Sequence, residues 1–295
     1  MGRGGGSHWA GAVGGLLMRV LVTGAGGQVG RELVDAFSTD EVVACDHADL
    51  DVGDRDRVLQ VVSGATPDAV IHAAAWTDVD GCEADPDRAY LVNALGTRNM
   101  VEAARLAGAR VCYLSTDYVF DGAAPRPYNE WDTPNPLSVY GRSKLGGESE
   151  LSGRDTVVRT SWVWGRHGRN FVKTVLARLE AGEPMRVVDD QFGCPTFAGD
   201  LARTVRRLVV ARRPGVYHVT NQGATTWYRF ACDIARAGGF DPAGVTPIAT
   251  ADVDPPRLAP RPPNSVLDNA ALRLSGIPLP ADHREPLSRL VAQLV

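Results

Sequence analysis

From Met18 onward, apolar positions along the chain recur in two alternating rhythms. Short continuous runs of β-branched residues are followed by longer stretches in which apolar residues return every three or four positions. The first rhythm marks buried strands and the second amphipathic helices. Strands are predicted at Arg19–Thr23, Glu41–Cys45, Ala69–His72, Arg110–Ser115 and Thr156–Thr160. Helices are predicted over Gln28–Phe37, Arg55–Val62, Pro86–Leu106 and Tyr140–Leu151. Runs that are apolar throughout, each leading into a helix, imply an α/β fold: a doubly wound parallel sheet covered on both faces. Further on, helices are expected at Asn170–Glu180, Phe197–Ala211 and Trp227–Ala237, with strands at Met185–Val188 and Val216–Val219. The pattern weakens after Pro214, so the C-terminal third reads as a smaller cap over the ends of the sheet.

Prolines 125, 127, 134 and 136 make Asp117–Pro136 a long loop, of the length that in compact domains is usually functional. The first seventeen residues are glycine-rich, and glycine breaks every apolar run that a secretion signal would need. They are expected to form a flexible extension. The division is then 1–17 extension, 18–165 dinucleotide-binding domain with a later contribution near 185–213, and 166–295 mostly substrate-binding cap.

The segment Thr23-Gly24-Ala25-Gly26-Gly27-Gln28-Val29-Gly30 lies between the first strand and the first helix. Glycines at 24, 27 and 30 permit a tight turn, close approach of backbone N–H groups to a pyrophosphate, and close packing of helix on strand. At that junction they mark a Rossmann-type dinucleotide site that includes Gln28 and Val29. Asp46 ends the second strand, where a carboxylate binds the ribose hydroxyls of NAD and repels a 2′-phosphate. Arg31 and His47 stand near enough in sequence to soften that repulsion. Asp51 and Val52 are placed to flank the adenine, and Ala74, Ala75 and Trp76 follow the third strand.

Charge and composition narrow the alternatives. Thirty-one Lys and Arg against 35 Asp and Glu give a net charge of −4, which offers no basic stripe for nucleic acid. No window reaches the roughly 18 apolar residues of a membrane span. The five cysteines contain no C-x-x-C pair and the six histidines no H-x-x-x-H pair. A disulfide framework and a metal site are therefore not expected, and reduced thiols suit the cytoplasm.

Candidate chemistry gathers after the fourth strand. Tyr140 and Lys144 are four residues apart and share one helical face. A free phenol, with a pKa of about 10, exchanges protons poorly near neutrality. An ammonium one turn away, together with an oxidised nicotinamide, is expected to favour the phenolate. Thr116 ends the fourth strand, where open parallel sheets bind ligands, and its hydroxyl is placed to meet a substrate oxygen. Trp162 lies just past a strand end and offers an aromatic face to a sugar ring.

These residues together resemble the extended short-chain dehydrogenase/reductase superfamily and, within it, the dTDP-4-dehydrorhamnose reductase family. The segments RVLVTGAGGQVG, AVIHAAAWTDVDGCE, NALGTRNM, LSTDYVFDG, YGRSKLGGE, VVRTSWVWG, VVDDQFGCPT and RPPNSVLD carry the resemblance through most of the chain from Met18. It implies reduction of a dTDP-4-keto-6-deoxy-L-sugar, with Tyr140 as proton donor, Lys144 holding the nicotinamide ribose, and Thr116 assisting at the substrate oxygen. It further implies that Thr116, Asp117 and Trp162 contact the sugar nucleotide. NADPH is the implied cofactor, with NADH also accepted. A cytoplasmic role in bacterial cell-envelope carbohydrate biosynthesis and a homodimer belong to the same expectation. Two other functions fit parts of the pattern: a non-catalytic dinucleotide-binding regulatory subunit, and a nucleotide-sugar epimerase or dehydratase.

Overall fold

The computed structural model describes residues 17–294. All but Leu17 of the extension expected over 1–17 lies outside the described residues. The strands are β1 (Arg19–Thr23), β2 (Glu41–Cys45), β3 (Ala69–His72), β4 (Arg110–Thr116), β5 (Thr156–Thr160), β6 (Val163–Trp164), β7 (Met185–Val188), β8 (Phe192–Gly193), β9 (Thr196–Phe197), β10 (Gly215–His218), β11 (Thr225–Thr226) and β12 (Val245–Ile248). The α-helices are α1 (Gln28–Ala36), α2 (Arg55–Ala65), α3 (Val79–Ala84), α4 (Pro86–Tyr90), α5 (Gly96–Leu106), α6 (Val139–Glu148), α7 (Phe171–Glu180), α8 (Ala198–Val210), α9 (Trp227–Ala237), α10 (Ala270–Leu274) and α11 (Arg284–Leu294).

Six parallel strands form the main sheet in the order β2-β1-β3-β4-β5-β10. Alternate residues of each strand feed opposite layers. Val20 and Val22 pack with Leu33 of α1 and with Leu201, Val205 and Leu208 of α8, whereas Leu21 packs with Val58 and Val62 of α2 and with Met100 and Ala103 of α5. Both faces are covered, which is why the strands read as unbroken apolar runs. The strand order reverses between β1 and β3, and ligands of such sheets bind outside the carboxyl ends at that switch point.

A second apolar cluster joins Val172, Val175 and Leu176 of α7, Phe230 and Ile234 of α9, and Leu287, Leu290 and Val291 of α11. Beside it, β7 pairs in parallel with β12. Thus Met185–Val188 belongs to this second cluster, while α8 and β10 return the chain to the main sheet. Ala271 and Leu272 of α10 also pack in the main core.

Periodicity predicts one helix over Pro86–Leu106; the helical path is continuous there, with a π-helical turn, Leu91–Leu95, between α4 and α5. In that turn Asn93 is fully buried and its amide is spent on other segments. Asn93 Oδ1 accepts from Trp76 N (2.9 Å), and its Nδ2 donates to Trp76 O (3.0 Å) and Ser143 Oγ (3.0 Å). The widened turn lets one side chain tie the residues after β3 to α6, a use typical of π-bulges. The helices α3 and α10 and the short strands β6, β8, β9, β11 and β12 are too brief for a periodicity signal, whereas α11 repeats apolar residues at 287, 290, 291 and 294 and was missed all the same.

Candidate active site

At the carboxyl ends of β1, β3, β4 and β5 the structure opens a cavity of about 920 Å³. Every site residue predicted from sequence lines it: Gly24, Gly27, Gln28, Val29, Gly30, Asp46, Asp51, Val52, Ala74, Ala75, Trp76, Thr116, Asp117, Tyr140, Lys144 and Trp162. Lys144, 144 positions into the chain and mostly remote in sequence from the glycine loop, shares one space with it because β1 and β4 both abut β3.

The glycine loop fits a dinucleotide on two observations. Gly24 takes a left-handed φ of +66°, and a Cβ there would sit 2.8 Å from Ala74 N; at Gly30 a Cβ would meet Gly24 O at 2.0 Å. Helix α1 therefore packs against the turn as only glycine allows. Its N-cap, Gly27, supplies no side-chain acceptor, so the first-turn N–H groups face the cavity side of the loop without a cap. Uncapped donors at the positive end of a helix dipole suit a pyrophosphate. One of the predicted contacts also has structural work: Gln28 Nε2 donates to Val163 O (3.0 Å), and Gln28 Oε1 accepts from Asn170 Nδ2 (3.0 Å). Asp46 is exposed, and its Oδ1 accepts from Ala48 N (2.8 Å) and Asp49 N (3.2 Å).

Ser138 caps α6, accepting from Gly141 N at 3.1 Å, which puts Tyr140 in the first turn and Lys144 one turn below. Burial pushes the Tyr140 phenol above its usual value, and the Thr116 hydroxyl pulls weakly the other way. Desolvation thus opposes the phenolate that the Lys144 ammonium and an oxidised nicotinamide together would favour. Burial also drives the Lys144 ammonium down to about 7, with Glu148 opposing, and Lys144 Nζ sits 4.0 Å over the Tyr113 ring. A phenol that keeps its proton is the form a proton donor needs.

Thr116 Oγ1 donates to Asp117 Oδ1 (3.0 Å) and accepts from Tyr118 N (3.2 Å). Asp117 is buried, with Oδ2 unpartnered among the described residues. Burial raises its carboxyl to about 7, against the opposing pull of the nearby Ser265 and Thr116 hydroxyls. The folded state therefore holds a proton that the unfolded chain releases above its ordinary pKa of about 4. Stability from that proton is present below about pH 4 and is lost as pH rises through about 7. Asp117→Asn should remove this slope. Between pH 5 and pH 8, chemical denaturation should show the wild type losing about 2–3 kcal/mol more than the variant. Equal losses in the two proteins would mean that Asp117 titrates normally.

Sequence reasoning missed the polar frame behind these groups. Glu148, the last residue of α6, accepts from Arg159 of β5 through Nε (2.9 Å) and Nη2 (2.7 Å) and from Ser115 Oγ (2.5 Å). Asn93 was missed likewise, as was Arg88, whose guanidinium lies 4.5 Å over the Trp76 ring. For Asn93 and Arg159 the available signal was a polar residue inside an apolar run, LVNAL and TVVRT; Glu148 and Arg88 carried none. Trp162 adopts a left-handed φ of +46°, which costs a non-glycine residue about 1–2 kcal/mol. All five cysteines are buried and free. Among the described residues there is no group of three or more His, Cys, Asp or Glu side chains placed to hold a metal, and no helix is long and apolar enough to cross a membrane.

Comparison with known proteins agrees with this geometry. The chain is 37% identical over 298 residues to dTDP-4-dehydrorhamnose reductase of Aggregatibacter actinomycetemcomitans, covering 94% of this chain and 99% of that protein. It is 40% identical over 265 residues to dTDP-4-keto-6-deoxy-D-glucose reductase of Streptomyces niveus, covering 88% and 91%. The crystal structure of dTDP-4-dehydrorhamnose reductase from Bacillus anthracis in complex with NADP superposes with a TM-score of 0.89 at 36% identity, over 94% of this chain and all of that one. The family described as RmlD substrate binding domain matches residues 18–295, and the chain belongs to it.

Proposed function

We propose that this chain reduces the 4-keto group of dTDP-6-deoxy-L-lyxo-4-hexulose to give dTDP-L-rhamnose, with NADPH as reductant. The observation that carries the reading is the meeting of Thr116, Tyr140 and Lys144 with the glycine loop in one cavity. The family and the substrates named for its reductases support it. When bound, reduced nicotinamide supplies a hydride to C4. The rest falls to the chain. The Gly24–Gly30 turn and the start of α1 hold the pyrophosphate, and Lys144 holds the nicotinamide ribose. Thr116 and Asp117 orient the sugar, and Tyr140 gives its phenolic proton to the C4 oxygen as alkoxide charge develops. The apolar cluster of α7, α9 and α11 serves as the body of the substrate cap, and the reducing cytoplasm is the setting.

Stoichiometric loss of reduced-nicotinamide absorbance on adding the 4-keto sugar nucleotide tests this reading. An epimerase or dehydratase recycles its cofactor, and a regulatory subunit turns over nothing, so neither consumes NADPH. The Streptomyces niveus relative is named for a D-configured 4-keto sugar, which makes that epimer the second substrate to assay.

Both cofactors are expected to work, with NADPH productive. Asp46, exposed at the end of β2, sets the balance, because its charge opposes a 2′-phosphate while solvent and salt weaken the repulsion. Asp46→Ala should shift the ratio of kcat/KM values toward NADPH by roughly tenfold or less, since the screened term is small. An unmoved ratio would place Asp46 away from the adenosine ribose.

A further inference from the structure

We infer that Trp227 is a positioning residue for the substrate end of the cavity: by stacking on Trp162 it holds that indole in a backbone conformation tryptophan rarely adopts, and so sets the wall against which the sugar nucleotide rests. The inference deepens the reading of the cavity as a sugar-nucleotide reductase site and rests on it.

Trp162 lines the cavity; Trp227 does not. The two rings lie 3.7 Å apart between centroids and are tilted by only 11°. Trp227 opens α9, whose N-cap Thr226 accepts from Arg229 N at 3.2 Å. Phe171 of α7 meets the Trp227 ring edge-on at 4.8 Å and stacks on Phe230 of α9 at 5.8 Å. Trp227 is thus the outer member of an aromatic column anchored in the second apolar cluster.

The indole of Trp162 is confined from another direction by Gly193. A Cβ at Gly193 would lie 2.4 Å from Trp162 Cε2, 2.6 Å from Cζ2 and 2.8 Å from Nε1. Gly193 pairs with Thr225 in the β8–β11 ladder, so the ladder that sets Gly193 against Trp162 leads directly into Thr226 and Trp227. The Trp162 carbonyl is held as well, accepting from Thr196 N at 3.2 Å. Ordinary core packing does not call for a φ of +46° on a tryptophan. Such a residue persists where its surroundings over-determine it, and these sites cluster where ligands are gripped. Here the surroundings are Trp227, Gly193 and Thr196, all from the side of the molecule that carries the second cluster. The residue they fix sits two positions beyond β5, on the sheet edge that presents Thr116 and Thr160 to the cavity.

The test uses the full chain and two readouts. Each indole in a face-to-face stack shields the ring protons of the other, so in proton NMR the Trp162 indole resonances should lie upfield in the wild type and move downfield in Trp227→Ala. In steady-state kinetics, Trp227→Ala should raise KM for the 4-keto sugar nucleotide about tenfold, the scale of a lost aromatic stack. The KM for NADPH should stay within about twofold and kcat should fall less than KM rises. Trp227→Phe, which keeps a ring on Phe171, should restore KM to within about threefold. Gly193→Ala should reproduce the Trp227→Ala signature by displacing Trp162 from its other contact, and it guards against a folding defect peculiar to Trp227. A sugar-nucleotide KM within twofold of wild type in Trp227→Ala overturns the inference, as does an equal rise in the KM for NADPH. Trp162 resonances unmoved in Trp227→Ala overturn the stack on which it stands. A wild type that consumes no NADPH with either 4-keto sugar overturns the functional reading, while the shift of the Trp162 resonances in Trp227→Ala still decides the geometry.

Discussion

Tyr140→Phe should lower kcat by roughly 10²–10⁴-fold, the contribution of a positioned general acid, and leave cofactor binding in place. The ring stays because its setting does not depend on the hydroxyl. Tyr140 is held in the first turn of a capped helix, with Tyr118 packed edge-on at 5.7 Å. Only the proton is removed. As the C4 alkoxide develops, its charge would have to be met by the Thr116 hydroxyl alone or by water. Burial raises the Tyr140 phenol, so the wild type enters the reaction protonated across neutral pH. Turnover measured by nicotinamide absorbance, beside a cofactor titration by fluorescence, separates the two effects. A kcat within threefold of wild type would remove Tyr140 from the proton-transfer step.

The second large effect is expected on stability. Arg159 and Glu148 form a bidentate pair with 5% and 7% side-chain exposure, and Ser115 takes part through the same carboxylate. The pair crosses from β5 to the C-terminal end of α6, the helix that presents Tyr140 and Lys144. Glu148→Gln keeps the shape and removes the charge, leaving a buried guanidinium without its counter-ion. Breaking one side of such a pair costs about 3–5 kcal/mol. Denaturant titration of the folded enzyme should show that loss. Arg159→Met added to Glu148→Gln should recover part of it, because the unpaired charge is then gone. Glu148 also holds the Lys144 ammonium up against desolvation, so Glu148→Gln should drive Lys144 further below about 7 and move the corresponding limb of the pH–rate profile to lower pH. A double variant no more stable than the single one would mean that the pair's geometry, and not its charge, supports α6.

Legibility differed by residue for physical reasons. The glycine loop was readable because steric demands act locally: a φ of +66° at Gly24 and the contact at Gly30 are requirements on single positions at a strand-to-helix junction. Tyr140 and Lys144 were readable because helical spacing alone puts them on one face. The protonation state of Tyr140 was not, since desolvation depends on what closes over the ring, and that comes from segments throughout the chain. The helical stretch predicted over Pro86–Leu106 is present, but its π-helical turn around Asn93 was not legible, because the partners of Asn93, Trp76 and Ser143, lie 17 and 50 positions away.

The sequence by itself determined the parallel sheet, the two layers of helices, the glycine turn and the shared helical face of Tyr140 and Lys144. Each is written in a repeat or spacing of a few residues, where backbone sterics and side-chain direction leave little choice. Only the tertiary structure decided which distant side chains share a space. It set Arg159 of β5 against Glu148 of α6, placed β10 on the edge of the main sheet and Met185 in the second cluster, and stacked Trp227 behind Trp162. These pairings depend on the direction in which whole elements pack. Their energies come from burial and from polar groups that must find partners once water is excluded, and neither requirement leaves a periodic trace in the chain.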